Sequence, residues 1–157
     1  MKNCVLLGAL AAVAFVAPAF AAGDLSPADK MVLKRYTLTM PKVKAYEASS
    51  IALRAAEAKD GSLKVDQEAA GSMQTSDMNG EFAKMDHHPR VFEFFAKNGL
   101  TKQDVILIPM TLMGACMVVQ YPSSAAGLAD QTSPAQIAFC KSNQAALNAM
   151  TFMKGGG

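Results

Sequence analysis

From Val105 to Val119 almost every residue is apolar, broken only by Pro109, Thr111 and Gly114. A helix built from this stretch has no polar face, so other elements have to enclose it. Thr101-Lys102-Gln103-Asp104 stands just before it as a capping box with Asp in the place of the usual Glu, which sets the helix at about 102–120. The apolar run is shorter than the roughly 20 residues that a comfortable bilayer crossing takes. The chain is therefore expected to fold around a buried apolar central helix.

Punctuation elsewhere agrees with helices, and no stretch shows the sustained alternation of a half-buried strand. The reading is all-α, a compact helical bundle of about four to five helices. Ser26-Pro27 can open a short turn of helix, and a long helix is expected from Thr39 or Pro41 to Lys59, ending before Asp60-Gly61. Residues 61–76 are small and polar and read as a loop. Ser76 or Asp77 then caps a short amphipathic helix with Met78, Phe82 and Met85 on one face. Pro89 opens the next helix and Asn98-Gly99 closes it. After a loop from Tyr121 to Thr132, Ser133-Pro134 starts a last helix that reaches about Met153, and residues 155–157 form a flexible tail.

The first 21 residues have a basic start, an apolar core from Cys4 to Phe20 and small residues around the Ala21/Ala22 bond. That is the pattern of a cleaved secretory signal peptide, so residues 22–154 are expected as a single exported domain, periplasmic or secreted. Cys4 leaves with the leader. Cys116 and Cys140 remain in a chain bound for an oxidising compartment, and an antiparallel hairpin of the last two long helices puts them at similar heights. A disulfide between them is expected. Neither belongs to a C-x-x-C pair, which removes a thioredoxin-like centre, a zinc ribbon and a covalently attached haem.

The net charge of +2 is too small and too dispersed for a protein that grips nucleic acid through its phosphates. Its distribution along the chain is informative. Residues 24–102 carry 23 charged side chains, whereas residues 103–157 carry only Asp104, Asp130, Lys141 and Lys154. Interface cores are depleted in charge and enriched in Met and aromatics. Phe139, Ala146, Met150 and Met153 recur at helical spacing in that charge-poor part and are the candidate contact stripe. The same spacing equally suits a face packed on Met110, Met113 and Met117.

Met73, Met78, Met85, His87 and His88 gather within 16 positions, and thioether with imidazole is the ligand set that suits copper(I). Met78, Met85, His87 and His88 are the metal candidates, against which stands the apolar face that Met78 and Met85 share with Phe82. A haem would need inward ligands from facing helices, such as His88 with Met110 or Met113. Pro109 removes a backbone donor and Gly114 leaves a gap, so Pro109, Met110, Met113 and Met117 are candidates to line a small apolar cavity for a lipid or quinone. No catalytic constellation emerges: the two histidines are adjacent, the nucleophile and phosphate-loop motifs are missing, and the carboxylates read as solvated charges.

Tyr36-Thr37-Leu38-Thr39-Met40-Pro41-Lys42-Val43-Lys44-Ala45-Tyr46, the passage from His88-Pro89 through Gly99-Leu100-Thr101, and Ser133-Pro134-Ala135-Gln136-Ile137-Ala138-Phe139 together resemble a family of small exported all-helical bacterial proteins of uncharacterised function. The resemblance implies an exported helical domain. It lies in helix entries and junctions and transfers no catalytic or binding residue.

These features point to a non-enzymatic exported binding protein, an accessory or assembly subunit. Its charge-poor C-terminal hairpin would meet another protein, a second copy or, peripherally, a membrane. No cofactor is then required. The rival reading is a periplasmic carrier of copper, haem or an apolar molecule such as lipid or quinone.

Overall fold

The structure is a computed structural model that describes residues 25–72, 77–123 and 125–154. The leader, Met73, Ser76 and the tail at 155–157 lie outside the described residues. Seven α-helices follow one another: α1 (Pro27–Arg35), α2 (Met40–Glu57), α3 (Gly61–Ser72), α4 (Met78–His87), α5 (Pro89–Ala96), α6 (Lys102–Gln120) and α7 (Pro134–Ala149). Two 3-10 turns, Ala126–Gln131 and Phe152–Lys154, complete the order, and there is no strand among the described residues. The architecture is all-α, with more helices than the four to five expected.

The helix starts follow from local chemistry. Ser26 Oγ accepts the Asp29 N–H at 3.1 Å, and Pro27 holds the first turn of α1. Asp77 accepts the Gly80 N–H at 2.8 Å to start α4, and Pro89 opens α5. Gly99, at φ 75°, takes the left-handed turn after α5 that other residues resist. Thr101 with Asp104 and Ser133 with Gln136 form reciprocal capping boxes at α6 and α7.

Two expectations are corrected. Residues 61–72 are helix α3, not loop. Asp60-Gly61 ends one helix and also begins the next, because the Asp60 carboxylate accepts the Ser62 N–H at 2.9 Å. Among its residues of described burial, 61–70, Leu63 and Ala70 are buried in the core, too thin an apolar signal to stand out in the sequence. The last helix stops at Ala149, short of Met153. There Glu47 reaches across and accepts the N–H groups of Thr151 at 2.7 Å and Phe152 at 3.2 Å, while the Phe152 ring meets Tyr46 edge-on at 5.2 Å.

The central helix earns its composition by facing two ways. On one side Val105, Ile108, Leu112, Ala115 and Cys116 pack with Val43 and Tyr46 of α2, Phe95 of α5 and Leu147 of α7. On another, Ile106, Leu107 and Met110 pack with Leu25, Leu33 of α1 and Met78 of α4. By length and composition α6 could cross a membrane, yet 61% of its most apolar window is buried among the other helices. It runs uninterrupted through Pro109. Cys116 and Cys140 form a disulfide with their Cα atoms 5.5 Å apart, joining α6 to α7.

Candidate binding face

The four metal candidates go to different surroundings. Met78 is buried in the smaller apolar cluster and Met85 in the larger one. His87 is exposed, while His88 is buried with its Nδ1 3.0 Å from Oδ1 of Asp66 on α3. The haem pairing is equally dispersed, since His88 engages α3, Met110 lies in the smaller cluster and Met113 faces out. No group of three or more His, Cys, Asp or Glu positioned to hold a metal occurs among the described residues.

Several carboxylates that read as solvated charges are structural. Asp104 is buried at the start of α6 and accepts from Tyr36 Oη (2.6 Å), Lys42 Nζ (2.7 Å), the Thr101 N–H (2.9 Å) and Thr101 Oγ1 (2.8 Å). Burial by itself would raise its pKa, but the donors from Lys42, Tyr36 and Thr101 outweigh it and hold the carboxyl at about 2. Burial and the bond to Asp104 push the Tyr36 phenol far above its ordinary value, so it stays a proton donor. Glu81 and Lys84 form a buried ion pair at 2.9 Å on α4. Asp104 thus ties α6 to Lys42 of α2 and to Tyr36 after α1, and the Glu81–Lys84 pair lies within α4.

A groove of about 250 Å³ opens between the linker after α1 and the first turns of α7, with Lys34 and Arg35 among its lining and Phe139 on its wall. Its best polar group is already engaged. Gln136 Nε2 donates to the carbonyls of Leu33 (2.7 Å) and Tyr36 (2.8 Å), sealing the end of α1, while its Oε1 accepts the Ser133 N–H (2.8 Å).

The candidate contact stripe and the candidate cavity wall exchange places. Met150 is buried in the larger cluster and Phe139 and Met153 pack partly buried against it, so three of the four stripe residues serve the core; Ala146 alone is exposed. The spacing was right for a buried face, and the break after Ala149 moves Met150 and Met153 off the helix. Conversely, Met113 and Met117 do not share a cavity with Met110. Met110 is buried, Pro109 half-buried, and Met113 and Met117 are exposed on the outer side of α6, with Tyr121 exposed one turn on. This outer face lies in a stretch, 105–129, without a single charged side chain. On the neighbouring α7, Ala138, Ser142 and Ala145 are exposed and Lys141 is the only charge. Exposed Met and Tyr in a stretch of sequence without charge match the composition of an interface core.

Comparison with protein-family models, with characterised proteins and with solved structures finds no match to this chain.

Proposed function

We propose that this protein is a non-enzymatic exported binding protein, an accessory or assembly subunit that works through the uncharged outer face of its α6–α7 hairpin. The observation that supports this reading is the exposure of Met113 and Met117 on a largely buried helix, with Tyr121 exposed just past its end. A binding role needs no reactive constellation, and the buried Asp104 carboxylate is engaged by Tyr36, Lys42 and Thr101.

The test is oxidation footprinting by dilute peroxide, because thioethers report their own accessibility. Met31 on α1 is exposed to a similar degree and serves as the internal reference. In the envelope of the exporting host, Met113 and Met117 are expected to oxidise several-fold more slowly than Met31, whereas in the purified, dilute chain all three react alike. Equal rates in both settings would reject the reading.

A further inference from the structure

Residues 30–46 hold Lys30, Lys34, Arg35, Lys42 and Lys44 and no acidic residue. The whole chain nets only +2, so the remainder is net acidic and the positive charge is concentrated in this stretch. Lys42 is engaged by the buried Asp104 carboxylate, which also accepts from Tyr36 Oη. Lys34 and Arg35 are exposed and form no ion pair among the described residues. Basic residues in the last turn of a helix commonly serve its unsatisfied carbonyls. Here Gln136 Nε2 takes that role from across the fold, donating to the carbonyls of Leu33 and Tyr36. Two cations that neither neutralise a carboxylate nor cap their own helix are thus set into the lining of the groove between the linker after α1 and the first turns of α7.

We propose that this groove binds a small amphipathic acid, its carboxylate held by Arg35 and Lys34 and its short apolar body laid against Leu38 and Phe139. The lining selects that class. Gln136 has both ends of its amide engaged, Ser133 accepts the Gln136 N–H, and Tyr36 donates to Asp104, which leaves little to hydrogen-bond a sugar. The lining contains no carboxylate to attract a cationic ligand. What it does offer is a guanidinium fork, which matches the two oxygens of a carboxylate, an ammonium beside it, and the apolar surface of Leu38, Ala135 and Phe139.

Size narrows the class further. The groove's volume of about 250 Å³, set against the roughly 30 Å³ that a water molecule occupies, has room for a ligand on the order of ten non-hydrogen atoms. An eight-carbon acid is of that size. None of the lining comes from α6, so this site is separate from the outer methionine face and its occupancy is independent of what that face meets.

Titration of the isotope-labelled mature chain with octanoate, followed by backbone amide chemical shifts, tests this. The expected result is saturable binding with a dissociation constant on the order of millimolar, shifts centred on residues 34–38 and 133–139, and weakening by added salt, because exposed cations are screened. Octan-1-ol has the same body without the charge and is expected to bind about tenfold or more weakly. Lys34→Gln/Arg35→Gln should weaken octanoate by a similar factor at unchanged helicity, since both side chains stand in water. Lys30→Gln/Lys44→Gln removes the same charge from the same stretch outside the lining and should leave the affinity unchanged. Ala135→Leu, which fills the groove from an exposed position, should abolish binding. Absence of saturable shifts with octanoate, equal affinity for octanoate and octan-1-ol, or two double variants that weaken octanoate alike would each overturn the proposal. A tripeptide with a free terminal leucine carboxylate that binds far more tightly than octanoate would overturn the small acid as occupant.

Discussion

Asp104 does two jobs with one carboxylate. It closes the capping box of α6, a job visible in the four residues Thr101 to Asp104, and it ties in Tyr36 and Lys42, which lie 68 and 62 residues earlier. The first job was legible in the sequence because caps depend on neighbours along the chain. The second was not, because nothing local tells which distant donors a buried carboxylate will meet. Its pKa is depressed from 3.8 to about 2 in the fold. The ionised form is thus favoured by folding, and the stability it adds is fully present above about pH 4 and is lost as pH falls toward 2. Asp104→Asn is expected to cost about 2 kcal/mol at neutral pH and to flatten the acid limb of the stability curve between those values. Urea titrations of both proteins at a series of pH values check this, and parallel acid limbs would show that the carboxylate is not the group responsible.

At the scale of elements, the helices with strong punctuation were readable and the one with weak punctuation was missed. Pro89 and Gly99 bracket α5, and Thr101 and Ser133 begin α6 and α7, each by a steric or hydrogen-bonding rule that acts locally. Helix α3 lacks such signals beyond Asp60, and its Val65 is largely exposed. It is held to α5 by polar contacts, Arg90 to Asp60 at 2.6 Å and His88 to Asp66 at 3.0 Å. An element with so little buried surface opens before the rest of the fold. Asp66→Ala is expected to lower the local opening free energy of α3 by about 1 kcal/mol, read as faster amide exchange over 61–72 with α2 and α6 unchanged. Faster exchange in α6 as well would mean that α3 does not open alone. That the candidate stripe turned into the core has a similar origin. Periodicity identifies which residues share a face but not whether that face turns inward, and here α7 turned its Met and Phe in while α6, crowded on its other sides, left Met113 and Met117 out.

Taken whole, the molecule is two apolar clusters built on opposite sides of one helix, with a covalent bond from that helix to α7. The bond spans a sequence separation of 24 residues, and by limiting the unfolded chain it is expected to add about 3 kcal/mol. Thermal unfolding with and without reductant should show the loss, and a Cys116→Ala/Cys140→Ala chain should behave like the reduced protein; equal melting temperatures in all three would show that the bond constrains nothing. Because α6 is wall to both clusters, it is also the part of the chain least free to vary. A changed residue at Ile106 or Ile108 is felt by one cluster directly and by the other through the shift of the shared helix. Helix α3 adds Leu63 and Ala70 to one cluster and can drift. Among descendants of this chain, substitutions should therefore accumulate unevenly, sparse along 102–116 and dense along 61–72, and the outer methionines, which owe nothing to either cluster, should be kept only where something outside the molecule requires them.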